Sequence, residues 1–99
     1  MRMLMKVEMN TEAANDLIKQ GVVPELMQEA LGRIRPESAY FTVENGCRTA
    51  YLFFDLNEPS DLPALAEPFF MRLGARIHYS PVMNQEELIE GLGWLGGQG

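Results

Sequence analysis

Cysteine and histidine are almost missing from this chain. One Cys and one His in 99 residues exclude a disulfide framework within the chain and any Cys/His zinc site of ordinary spacing. Basic residues are scarce as well: eight Lys plus Arg stand against 14 Asp plus Glu, a formal charge of −6. Such a surface repels polyphosphates and anionic membranes, so neither nucleic acid nor a membrane is expected as a partner. Long apolar runs are absent too, since nothing approaches the roughly 18 consecutive apolar residues that span a bilayer. Arg2, Lys6 and Glu8 interrupt every candidate signal-peptide core in the opening segment, and no small-residue cleavage site follows. The expectation is a cytoplasmic protein whose Cys47 stays reduced. There is no internal repeat, and the one linker-like stretch is GLGWLGGQG, with residues 93–99 read as a flexible Gly-rich tail.

What remains is a globular balance, 46% hydrophobic and 22% charged. A chain of this size forms one domain over residues 1–99, burying roughly 65% of its extended surface, enough for a single modest core. Residues 1–9 alternate, with Met3, Met5, Val7 and Met9 on one side and Arg2, Leu4, Lys6 and Glu8 on the other, the period of a strand. Asn10 or Thr11 offers an N-cap for a helix carrying Ala13, Ala14, Leu17 and Ile18. Gly21 and Pro24 break it, and a second segment with Leu26, Met27, Ala30 and Leu31 ends near Gly32.

The sharpest local signal is Asn45-Gly46 between SAYFTVE and CRTAYLFFD, which suits a two-residue type I′ hairpin. The turn sets the register: Glu44 opposes Cys47, Thr42 opposes Thr49, Tyr40 opposes Tyr51, Phe41 opposes Ala50 and Ala39 opposes Leu52. Opposed residues must share a face, and here they sort consistently. Phe41, Val43, Ala50, Leu52 and Phe54 make an apolar side; Tyr40, Thr42, Tyr51 and Phe53 make a mixed one.

Further on, Ser60 is the expected N-cap of a helix with Leu62, Leu65, Ala66, Phe69, Phe70 and Leu73, kinked at Pro68 and closed by Gly74. ARIHYSPV alternates again, and Asn84 with Glu87 resembles a capping box opening a short last helix. The order is strand, helix, strand, strand, helix, strand, short helix. That is an α+β, ferredoxin-like βαββαβ arrangement with a four-stranded antiparallel sheet and the helices on one face.

The helices are expected over Met3/Met5/Val7, Phe41/Val43, Leu52/Phe54 and Ile77/Tyr79. The other face carries Lys6, Glu8, Tyr40, Thr42, Tyr51, Phe53, Arg76 and His78. Aromatic rings on a face that the chain's own helices do not reach call for a second surface. A second copy is the simplest one, giving a homodimer or higher oligomer; the plainer alternative is a monomer whose last helix folds back over the sheet.

Element order, length and this aromatic open face resemble the dimeric α+β barrel superfamily. That group includes muconolactone isomerase, cofactor-independent quinol-type monooxygenases and polyketide cyclases. The stretch TAYLFFDLNEPSDLPALAEPFF is similar to small uncharacterised bacterial members of it. The resemblance implies architecture rather than chemistry. Other proteins of ferredoxin-like topology are set aside on their signatures. RTAYLFFDL lacks the glycines and basic character of an RNA-recognition strand, no CxxC metal loop exists, and EMNTEAAND is acidic where an anion-binding loop would stand.

Two functions follow as expectations. One is a cofactor-free, metal-free site in the barrel interior, binding, isomerising or oxidising a small, partly hydrophobic molecule. His78 is then the acid/base, Glu8 pairs with His78 or with Arg76, and Lys6, Tyr40, Thr42, Tyr51, Phe53 and Arg76 line the ligand. The other is a non-catalytic dimeric interaction module with a self-filled barrel. Cys47 has no activating base in view and reads as incidental. The clustered methionines read as core filling. Trp94, in the Gly-rich tail, is expected to dock on a partner subunit or rim the pocket.

Overall fold

The computed structural model describes residues 1–95, as nine elements in chain order. β1 spans Arg2–Glu8, α1 Thr11–Gln20, α2 Val23–Ile34, β2 Ser38–Glu44 and β3 Cys47–Asp55. A 3₁₀ turn at Pro59–Asp61 leads into α3, Leu62–Leu73, followed by β4, Arg76–Pro81, and α4, Gln85–Leu95. The strands form one antiparallel sheet in the order β2-β3-β1-β4, the strand order of a ferredoxin-like fold.

The hairpin forms at the Asn-Gly pair, with Asn45 at φ 53° and Gly46 at φ 74°. Both central residues sit at positive φ, as a type I′ turn requires. All five expected cross-strand pairs are present, from Glu44↔Cys47 to Ala39↔Leu52. The alternation of residues 1–9 likewise becomes β1, with Met3, Met5 and Val7 buried on one side. These meet Ala50, Leu52 and Phe54 of β3 and, from the helices, Ala14, Leu26, Ala30, Phe69 and Leu73.

Helix ends follow local chemistry. The Asn10 side chain accepts a hydrogen bond from Ala13 N at 2.9 Å, an N-cap for α1. Pro24 sits in the first turn of α2, where its missing N–H costs nothing. α2 runs on to Ile34 rather than ending at Gly32, and closes with Arg35 in the left-handed region. Ser60 does not cap α3. Pro59 starts a 3₁₀ turn that absorbs Ser60, and α3 begins after Asp61 without a side-chain cap, with Pro63 in its first turn. α3 continues through Pro68 and ends at Gly74.

Two expectations about coverage change. Phe41 and Val43 lie on the helix side of the sheet but are 56% and 70% exposed, because β2 is the edge strand and α1–α3 do not reach its far end. At the C-terminus α4 carries helix through Gly91 and Gly93 to Leu95, so residues 93–95 belong to a helix and not to a tail. The rest of the expected tail, 96–99, lies outside the described residues. No helix among the described residues is long and apolar enough to cross a membrane.

Candidate functional site

With α1–α3 over the Met5/Leu52 side, the even-numbered residues of β1, β2 and β4 and the odd-numbered ones of β3 face the other way. The pairing aligns them in rows across the sheet. One row runs Tyr40–Tyr51–Lys6–His78, the next Thr42–Thr49–Glu8–Arg76, and the third Ser38–Phe53–Leu4–Ser80. All eight residues expected at the site fall in these three adjacent rows. Of the two expected partners of Glu8 the register puts Arg76 across from it, and His78 stands across from Lys6. Glu8 accepts from Asn45 Nδ2 at 3.4 Å, which turns it toward the hairpin and away from the imidazole.

The strongest polar contact on this face centres on a residue that the sequence reading passed over. Glu44 receives the Tyr51 hydroxyl on Oε1 and faces the Lys6 ammonium with Oε2. Lys6 Nζ also lies 5.8 Å from the centre of the Tyr51 ring, within cation–π range. Glu44 pairs with Cys47, two same-face rows from the Tyr40–Tyr51 pair, so the contact passes over Thr42 and Thr49. Thr49 is buried accordingly, and its hydroxyl donates to the Cys47 carbonyl at 3.0 Å. Strand parity did place Glu44 on this side. The reach of a tyrosine along the strand brings it into the cluster.

The charges in the cluster hold one another fixed. The Lys6 ammonium, and after it the Tyr51 hydroxyl, keep the Glu44 carboxyl below its usual range. Glu44 in turn raises Lys6, and with partial burial it raises the Tyr51 phenol. At neutral pH the set is therefore carboxylate, ammonium and neutral phenol. That is a polar anchor and hydrogen-bonding surface, poorly suited to passing protons. His78 is exposed and stands outside the contact, as do the exposed Arg76, Thr42 and Tyr40. Tyr40 is 65% exposed, while Leu4, Tyr51 and Phe53 are half-buried.

Two concavities of the single chain avoid the Tyr40–Tyr51–Lys6–His78 row, and one of them touches the end of the open face. One of about 660 Å³ opens between the end of α2 and the start of α3, lined by Arg33, Arg35, Asp55 and Asp61 among others. Another, of about 560 Å³, lies at the hairpin end of the sheet beside Glu8, Asn10, Cys47 and Arg76. His78, Tyr40 and Tyr51 line neither. Among the described residues no three His, Cys, Asp or Glu side chains gather in a way that would hold a metal ion. Trp94 is 67% exposed, and by helical phase it lies on the side of α4 that carries Glu87 and Glu90.

Fold and face together define a small α+β protein of ferredoxin-like topology in which, among the described residues, no helix packs over one side of the sheet. Comparison of the chain with protein-family models, with curated proteins and with solved structures finds no match.

Proposed function

We propose that two copies of the chain pack open face to open face as a dimeric α+β barrel, and that the space between them holds a small, partly hydrophobic molecule without a cofactor. The observation that carries this reading is Tyr40. It is 65% exposed at the edge of a face that also presents Leu4, Tyr51 and Phe53, and a second sheet would bury all four. In this arrangement Lys6, Glu44 and Tyr51 form a polar wall, Thr42 and Arg76 flank it, and the aromatic rings grip the apolar part of the ligand. His78, with Glu8 one row away, is the group available to move a proton in an isomerase-like or monooxygenase-like conversion. The resemblance to the dimeric α+β barrel superfamily points the same way.

One observation favours a second reading, a non-catalytic interaction module. Glu44 already accepts the Tyr51 hydroxyl and pairs with Lys6, so these three groups are engaged with one another rather than with a ligand. Mass measurement of the gently desolvated native protein separates the two. A dimer that carries an extra small mass supports the ligand site, and His78→Gln would then keep the added mass but lose turnover. A dimer at the bare mass of two chains supports the self-filled module, and a monomer contradicts both.

A further inference from the structure

Two arginines stand at the end of α2 without a carboxylate of their own. Among the described residues the ion pairs draw their cations from Met1, Arg2 and Lys6. Arg33 and Arg35 enter none of them and stay exposed, on the rim of the concavity of about 660 Å³ between α2 and α3. Arg33 lies in the last turn of α2, where the helix dipole alone accounts for a cation. Arg35 has no such account. It closes α2 in the left-handed region, at φ 50° and ψ 60°, with its N–H donating to the Leu31 carbonyl at 2.8 Å. Glycine is favoured there, because a Cβ crowds the neighbouring carbonyl. Pro36 follows directly, and a proline pushes the residue before it toward extended backbone. The chain therefore keeps an arginine at a strained position beside an open cleft, a combination that points to a ligand.

The cleft has the make-up of a small-molecule site. Its volume falls within the roughly 300–1,000 Å³ of such pockets, and its floor is apolar. Ile34, Phe54 and Leu56 in that floor are buried, and Leu65 is half-buried. Of the two acids on its walls, Asp55 is taken by the N-terminal amine at 2.8 Å. Asp61, exposed in the turn before α3, is in none of the ion pairs. Two guanidinium groups are thus set against one free carboxylate.

We propose that this cleft binds a small organic carboxylate with a flat apolar body. Arg33 and Arg35 take the carboxylate, whose planar geometry matches the guanidinium fork. The Phe54–Leu56 floor takes the body, and Asp61 on the facing wall accepts from a hydroxyl. A chain of charge −6 repels anions over most of its surface, so such a molecule gathers where cations are left unmatched. The site lies on the helix side of the sheet and is complete in one chain, so it does not depend on the dimer.

The test is a nuclear magnetic resonance titration of the isotope-labelled full chain with para-hydroxyphenylacetate. Amide shifts should saturate at Arg33, Arg35, Asn57 and Leu65. Arg33→Gln and Arg35→Gly should each weaken binding about tenfold, the loss of one charge-assisted hydrogen bond. Arg35→Gly also relieves the left-handed backbone, so its urea midpoint should be no lower than that of the wild type. That separates lost binding from lost folding. The neutral analogue para-hydroxyphenethyl alcohol should bind about tenfold more weakly than the acid. Arg48→Gln, exposed at the hairpin end of β3, should leave affinity unchanged. No saturating shift up to about 10 mM, well above a millimolar Kd, overturns the proposal. So does alcohol binding as tight as that of the acid, or an equal loss from Arg48→Gln. Shifts confined to Tyr51 and His78 would move the acid to the open face and overturn the cleft, while a monomeric native mass would overturn the dimer and leave the cleft standing.

Discussion

Glu44 is where the open face responds to acid. Its folded carboxyl is held below the ordinary 4.5 by Lys6 and Tyr51, so the folded state binds that proton less readily than the unfolded chain. The stability this contributes is present above about pH 4.5 and is lost as pH falls through the lower folded value. Glu44→Gln should therefore flatten the acid limb of a urea-unfolding series taken from pH 6 to 3, and an unchanged limb would show the cluster to be idle. Tyr79 has the opposite sense. Its hydroxyl donates to the Leu62 carbonyl at 2.9 Å, and burial pushes the phenol from 10.0 up to about 12. The folded state holds this proton more tightly, so the contribution is complete below pH 10 and is lost as pH rises toward 12. Tyr79→Phe should lose about 1 kcal/mol at neutral pH, together with part of the decline between pH 10 and 11. Denaturant midpoints at the two pH values read both effects.

Elements show which parts of the fold are written locally. The hairpin was legible because two separate constraints agree there, turn chemistry at Asn45-Gly46 and face polarity in both flanking strands. Gly46→Ala should cost about 1–2 kcal/mol, the penalty of a side chain in the left-handed region, read as a shift in the denaturant midpoint. The cap of α1 is legible to within one residue, Asn10 or Thr11, and Asn10→Ala should cost about 1 kcal/mol. Where sequence reading failed, the missing information was spatial. Parity assigned Phe41 and Val43 to the helix side, yet parity says nothing of how far α1–α3 extend across an edge strand. Ser60 looked like a cap until Pro59 drew it into a 3₁₀ turn. The glycines at 91 and 93 suggested a linker, but Leu88, Leu92 and Leu95 keep a helical spacing through them. The site was legible as a set of face-sharing residues. Glu44, its central member, was not, because its contacts run along and across strands to Tyr51 and Lys6 rather than to its register partner.

For the whole molecule the question is what completes the sheet. One side is packed against three helices, while the other presents Tyr40, half-buried Leu4 and Phe53 and a self-contained charged cluster. A chain of 99 residues has little core to spare, and pairing would enlarge it without a longer sequence. The proposed dimer uses that economy, since it covers apolar surface that the single chain leaves in water. Sedimentation equilibrium of the wild type and Tyr40→Glu, side by side at about 20 µM, a concentration where a standard-sized interface is populated, tests this most directly. The expected result is twice the 11.2 kDa chain mass for the wild type and a single-chain mass for Tyr40→Glu with unchanged far-ultraviolet circular dichroism. A wild type that sediments as one chain, or a Tyr40→Glu variant that remains paired, would contradict packing through the open face.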